Sequence, residues 1–264
     1  MTSRSLDRLS ARRRPTGLPL MRQWWGKLLF MHWRVPASAL RPLVPPQLTI
    51  DTFEGEAWVS VVPFKMWGVR PYLGPPVPGL NSFLELNVRT YVRHRGVPGV
   101  WFFSLDIDNP VAKWGGRQFF FLPYHRAEMS LGQRENSVDF ASARLAGDAP
   151  AADFRAGWTF GKRLPQAEPD SLDFFLTERY CLYSSFREQL YRCRVFHDPW
   201  PLRAAEVSAY ESSMVEALGL AAPAGEPLLH YAEELKVDIW PLLRVERDTR
   251  DHVFETAGAS ESLG

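Results

Sequence analysis

Alternation of apolar and polar residues dominates this chain, and it predicts a protein built of strands. Residues 83–93 alternate cleanly: Leu84, Leu86, Val88, Thr90 and Val92 point one way, while Phe83, Glu85, Asn87, Arg89, Tyr91 and Arg93 point the other. The pattern predicts a strand with one core face and one wet face. Gly96-Val97-Pro98-Gly99 then turns the chain into an antiparallel partner over 100–107. Similar runs predict strands over 23–35, 125–131, 137–145, 154–160, 175–183, 189–196, 202–210 and 228–240. Residues 48–51 and 57–66 flank an acidic turn, Phe53-Glu54-Gly55-Glu56, and predict a hairpin in which Pro63 marks a bulge or an edge.

Helices are few and short. Pro36 opens one that Pro45 and Pro46 end, and residues 211–218 predict another. Asn109 or Asp108 caps a third that begins at Pro110 and runs through VAKWGGRQFF, weakened by Gly115 and Gly116. Residues 67–82 hold four prolines and three glycines and predict a long irregular loop, the kind that often rims a site.

Charge adds a tail to this picture. The chain of 264 residues has a net charge of +1, yet residues 1–22 carry six arginines against Asp7, which leaves the remainder at about −4. Residues 1–21 are therefore expected to be a disordered basic tail, 22–242 a single β domain and 243–264 a flexible end. The start lacks the apolar run of a secretory signal, and no segment is long enough for a membrane-spanning helix, so a cytoplasmic protein with no membrane partner is expected. Cys181 and Cys193 lack metal-site spacing and are expected to pack as reduced thiols on adjacent strands. Phosphate loops, dinucleotide fingerprints, zinc-protease motifs and serine elbows are missing from the sequence. The histidines at 32, 94, 125, 197, 230 and 252 are dispersed. The expectation is no metal, no cofactor and no nucleic-acid partner.

One constellation remains. Val44-Pro45-Pro46-Gln47-Leu48, Glu85 on its strand, Asp106 and Pro110, Gly115-Gly116-Arg117-Gln118 and Pro123-Tyr124-His125, in that order, resemble the acetoacetate-decarboxylase-like superfamily. Glu178-Arg179-Tyr180, Asp198-Pro199-Trp200-Pro201-Leu202 and Leu235-Lys236-Val237-Asp238 resemble more closely its YqjF-like bacterial branch, a domain of unknown function. The resemblance covers about residues 22–242. It implies a β-rich fold with a few short helices, whose antiparallel strands close into a cone or barrel around an apolar cavity, and it implies a homo-oligomer. In the decarboxylase a lysine forms an imine with the substrate, its pKa lowered by a neighbouring lysine, the handling of a carbonyl by a desolvated amine. At the matching positions this chain has Tyr124 and His125. A phenol cannot condense with a ketone to an iminium, so imine-based decarboxylation is not expected.

Three readings stay open. In the first, the cone binds a small carbonyl or carboxylate compound. In the second, Glu85 is a base, Tyr124 a donor to a carbonyl and His125 a proton shuttle, with Arg117 or Arg89 anchoring a carboxylate, and the protein catalyses metal-free enolisation, hydration or isomerisation. In the third, the cone is filled with side chains and the protein is structural. Each residue also has a plain reading. Glu85 and Arg89 fit a solvated ladder with Asn87 and Arg93. Tyr124 and His125 are consecutive on a strand and face opposite ways, which favours Tyr124 for a pocket. Arg117 fits a tie to the glycine-rich backbone.

Overall fold

A computed structural model describes residues 8–147 and 149–245. The rest of the expected N-terminal tail, 1–7, and of the flexible end, 246–264, lies outside the described residues. The described strands are β1 (Met21–Val35), β2 (Thr49–Ile50), β3 (Ala57–Pro71), β4 (Ser82–His94), β5 (Val97–Ile107), β6 (Tyr124–Arg134), β7 (Ser137–Arg144), β8 (Asp153–Arg163), β9 (Cys181–Phe186), β10 (Gln189–Phe196), β11 (Leu202–Ser212), β12 (Leu228–Ile239) and β13 (Leu243–Arg244). The helices are α1 (Ala37–Leu40), α2 (Pro110–Phe120) and α3 (Leu172–Thr177).

Pairing closes this sheet twice. One ring runs β5-β4-β3-β1-β12-β10-β9 and returns to β5. The other leaves β5 through β6, β7, β8 and β11 to reach β12. Strands β12, β1, β3, β4 and β5 are common to both, so each of their faces looks into an interior. On β1, Leu29, Met31 and Trp33 join a core with Phe140, Phe154 and Trp158 of the second ring, whereas Leu28 and Phe30 join Val62, Phe64, Leu105 and Trp200 in the first.

This double closure corrects the expectation of a wet face on β4. Phe83, Glu85, Asn87, Arg89 and Tyr91 are buried, as are Leu84, Leu86 and Val88 on the opposite face. Alternation reports two different environments, and here the polar one is an enclosed chamber rather than solvent.

Several elements differ from their sequence patterns for local reasons. Residues 172–177 form α3 instead of the start of a strand, because the Ser171 hydroxyl accepts from the Phe174 amide and caps a helical turn. The irregular loop is shorter than expected: β3 continues to Pro71, with Gly68 at φ +63° where a Cβ would stand 2.9 Å from the Trp24 ring. The expected hairpin of 48–51 with 57–66 does not form; β2 pairs with β4 (Thr49↔Arg93), and only Phe53 and Glu56 bridge across the acidic turn. Opposite Pro63, β1 and β3 shift register between Gly26 and Met31, the irregularity a proline in an interior strand requires. In place of a helix over 211–218 the chain continues β11 to Ser212, then makes one 3₁₀ turn at Glu216–Leu218.

Residues 8–20 pack on the fold. Arg8 donates to Asp51 at 2.7 and 3.0 Å, Arg14 and Arg22 both bond Asp238 at 2.8 and 2.7 Å, and Trp240 Nε1 donates to the Thr16 carbonyl at 3.1 Å. The arginines are matched to buried carboxylates. Burial alone would raise the Asp51 and Asp238 carboxyls, but the arginines bonded to them hold both below the usual carboxylate range. Cys181 and Cys193 are buried free thiols. Among the described residues no helix is long and apolar enough to cross a membrane.

Candidate functional site

The first ring encloses a cavity of about 350 Å³. Strands β1, β3, β4 and β5 supply most of its wall, and α2 covers it. Helical spacing aims the pairs Val111 and Ala112, Gly115 and Gly116, Phe119 and Phe120 at the opening. Asn109 starts the helix, its Oδ1 accepting from the amides of Val111 and Ala112 at 3.0 Å each, while its Nδ2 donates to the Gly79 carbonyl at 2.7 Å. Helix and preceding loop are thereby tied together over the mouth.

The walls are aliphatic and aromatic, with the polar groups gathered on β4. Alternation at 85, 87 and 89 sends Glu85, Asn87 and Arg89 into the cavity. Tyr124, at the start of β6, donates its hydroxyl to Glu85 Oε2 at 2.8 Å. Gly116 makes this possible: a Cβ there would stand 2.3 Å from Tyr124 Cε2, so only glycine lets α2 lie on the ring. Burial raises the Glu85 carboxyl to about 7, against opposing bonds from Tyr124 and Asn87. Burial, and next the charge of Glu85, push the Tyr124 phenol well above its ordinary value.

Arg89 is 9 % exposed, and its Nε and Nη2 have no hydrogen-bond partner among the described residues. Its guanidinium carbon lies 5.2 Å over the Phe30 ring. Burial lowers its pKa, partly countered by Tyr91. Tyr91 belongs to a buried triangle in which the His32 Nδ1, Ser60 Oγ and Tyr91 OH atoms stand 2.6 to 3.0 Å apart. Burial drives the His32 imidazole well below its ordinary value.

Of the residues singled out in the sequence, Glu85, Tyr124 and Arg89 line one cavity. His125 and Arg117 lie outside that lining. His125 is half-buried, in register with Asp106 on the other face of β6. Arg117 is exposed, one helical step past Gly116 and turned from the mouth. Sequence reasoning missed Asn87, whose signal was its place between Glu85 and Arg89, and Trp200. The motif residues around Trp200 now have a structural account. Glu178 Oε1 accepts from the Trp200 amide at 3.0 Å and its other oxygen accepts from the Tyr180 hydroxyl, which sets the turn that brings Trp200 into the cavity wall against Phe30.

Among the described residues that line the cavity there is no lysine. Lys27, by contrast, is paired with Glu233 at 2.6 Å. No group of three or more His, Cys, Asp or Glu among the described residues is placed to hold a metal ion.

Comparison with known proteins bears on the family and the fold. The model of the DUF2071 family, described as an uncharacterized conserved protein, matches residues 22–236. The uncharacterized protein YqjF of Bacillus subtilis (strain 168) is 44 % identical over 228 residues, 86 % of this chain and 93 % of the relative. Among solved structures, the enduracididine biosynthesis enzyme MppR complexed with pyruvate superposes with a TM-score of 0.62 at 14 % identity, covering 89 % of this chain and 93 % of MppR. Acetoacetate decarboxylase superposes with a TM-score of 0.55 at 16 % identity, covering 89 % and 91 %. At such identities the shared property is the fold.

Proposed function

The chain belongs to the DUF2071 family, an uncharacterised branch on an acetoacetate-decarboxylase-like fold, and from that premise we propose that its cavity binds a small acid carrying a carbonyl group, without a covalent bond to lysine. The observation that carries this reading is Arg89. A buried guanidinium with two nitrogens unpartnered costs several kcal/mol. Arg89 lines the cavity, and a carboxylate beside it supplies the opposite charge that the buried guanidinium lacks. The MppR structure is described as a complex with pyruvate, which is in keeping with an acid guest on this fold.

The Glu85–Tyr124 pair extends the reading to proton transfer. With its pKa near 7, Glu85 is partly ionised at neutral pH. As a carboxylate it takes a proton from the carbon beside the ligand carbonyl. The C–H electron pair moves into the new C=C bond and the carbonyl π pair moves onto oxygen. Tyr124 turns its hydroxyl from Glu85 to that oxygen and stabilises the enolate. Imine chemistry has no amine in the cavity wall, so decarboxylation by that route is not part of the proposal.

The test is a thermal-shift screen of oxo acids of graded chain length beside the matching neutral ketones. An acid at one hundred times its Kd stabilises the native state by about 2.7 kcal/mol, and Arg89→Met abolishes that shift. Ketones that shift the midpoint as far as the acids would overturn the assignment of Arg89. For acids that bind, NMR in D2O follows exchange of the proton beside the carbonyl. Exchange slows about 100-fold in Glu85→Gln with binding retained; equal exchange in the variant removes Glu85 as the base.

A further inference from the structure

Three- and four-carbon oxo acids are too small for this chamber. A void of about 150 Å³ accommodates one benzene ring, six heavy atoms, and at that ratio 350 Å³ takes about fourteen. An acid of three or four carbons occupies about half of it and leaves bare apolar wall that gains no dispersion contact.

The polar groups are also too far apart for such a guest. Arg89 follows Glu85 by four residues on β4, so their Cα atoms lie about 13 Å apart along the strand at about 3.3 Å per residue. Glu85 faces Phe64 in register, Asn87 faces Val62, and Arg89 faces Ser60, so the three mark successive levels of the barrel. The guanidinium reaches the Phe30 ring at the inner end, while Tyr124 and Glu85 stand under Gly116 of α2 at the outer end. Asn87 stands at the middle level beside Val62 and Leu105, and the rest of the wall is apolar, with Trp25 and Trp200 stacked at 6.3 Å. An acid and a ketone on neighbouring carbons cannot meet both ends at once.

We propose that the ligand is an elongated medium-chain acid of about ten carbons, carboxylate inward at Arg89, apolar body along the tryptophan-lined wall, and a second oxygen function remote from the carboxylate beside Tyr124 and Glu85. This rests on the acid-binding reading above and specifies its ligand class. The levels of β4 set the length, and the lid helix sets the limit.

The experiment is calorimetric titration of the full chain with butanoate, decanoate, hexadecanoate and decan-1-ol, and with 9-oxodecanoate beside 3-oxodecanoate. Affinity rises about four-fold for each methylene from butanoate to decanoate and falls for hexadecanoate. Arg89→Met weakens decanoate at least ten-fold and leaves decan-1-ol unchanged, which also shows that the variant is folded. Ala112→Phe, which fills the outer end, weakens decanoate and spares butanoate. 9-Oxodecanoate binds more tightly than 3-oxodecanoate, and Tyr124→Phe removes the difference. Equal affinity for butanoate and decanoate overturns the elongated ligand and leaves the acid-binding reading standing. Tighter binding of 3-oxodecanoate overturns the remote oxygen function. Arg89→Met with undiminished affinity for every acid overturns the underlying reading and this inference with it.

Discussion

Glu85 occupies a position where a carboxyl group is costly to ionise, and that cost makes stability depend on pH. Its ordinary value is 4.5 and its folded value about 7, so between those limits the unfolded chain releases a proton that the folded chain retains. The folded state binds more protons, and its stability falls as pH rises through this window. A difference of that size corresponds to about 3 kcal/mol. Glu85→Gln keeps an acceptor for Tyr124 and carries no charge. In urea titrations at pH 4, 6 and 8 it should match the parent at the lowest pH and exceed it by up to about 3 kcal/mol at the highest. A gap that stays constant with pH would mean that Glu85 does not titrate in this way. Arg89 teaches the complementary lesson: in the sequence it fits a ladder of exposed charge as well as an anion anchor, and only its burial decides between them.

Among the elements, α2 was the most legible and the most informative. The Asn109-Pro110 start, with the cap and the proline in the first turn, could be read directly from residue types. The glycine pair could be read only as a weakness, because spacing carries no information about a neighbour from another strand. The structure separates the two. A Cβ at Gly115 meets nothing within 4 Å, whereas one at Gly116 collides with Tyr124. Gly115→Ala should be neutral or stabilise by up to about 1 kcal/mol. Gly116→Ala should destabilise by about 1–3 kcal/mol and reduce the acid-dependent thermal shift, because the Tyr124 ring must leave Glu85. Urea midpoints and ligand shifts of the two variants check this, and equal behaviour would refute the contact. The converse holds at α3, where Phe175 and Leu176 carry a strand-like pattern and the Ser171 cap turns them into a helix.

At the scale of the molecule, the second ring is clamped from β5 to β7 by a buried ion pair. Arg144 Nε donates to Asp106 at 2.9 and 3.1 Å, Nη2 to Ser104 at 3.1 Å and Nη1 to the Pro150 carbonyl at 3.1 Å. Burial pushes the Asp106 carboxyl up, and Arg144 pulls it partly back. Arg144→Met strands that carboxylate and should lower stability by about 3–5 kcal/mol, while Arg144→Met with Asp106→Leu recovers most of the loss. Denaturant unfolding at constant m checks both; no recovery in the double variant would mean that the cost lies in packing. Ser104 and Asp106 face the second ring and Leu105 and Ile107 the first, so ligand binding in the surviving folded protein should be unchanged.

What the sequence determined by itself was whatever depends on near neighbours. Alternation predicted most of the strands, the Asn-Pro signal marked the principal helix, the ordered motifs identified the family, and Tyr124-His125 in place of two lysines removed the imine. Tertiary structure alone decided where the faces of those strands look. The closures of β4 on β5, β9 on β5 and β10 on β12 join the ribbon into two rings, and the last two connect residues far apart in the chain. A period of two states that a strand has two unlike faces; it does not state what lies beyond either. Because β4 is shared by both rings, its polar face meets an enclosed apolar chamber instead of water. That change of surroundings is what makes Glu85, Asn87 and Arg89 a candidate site rather than an exposed ladder.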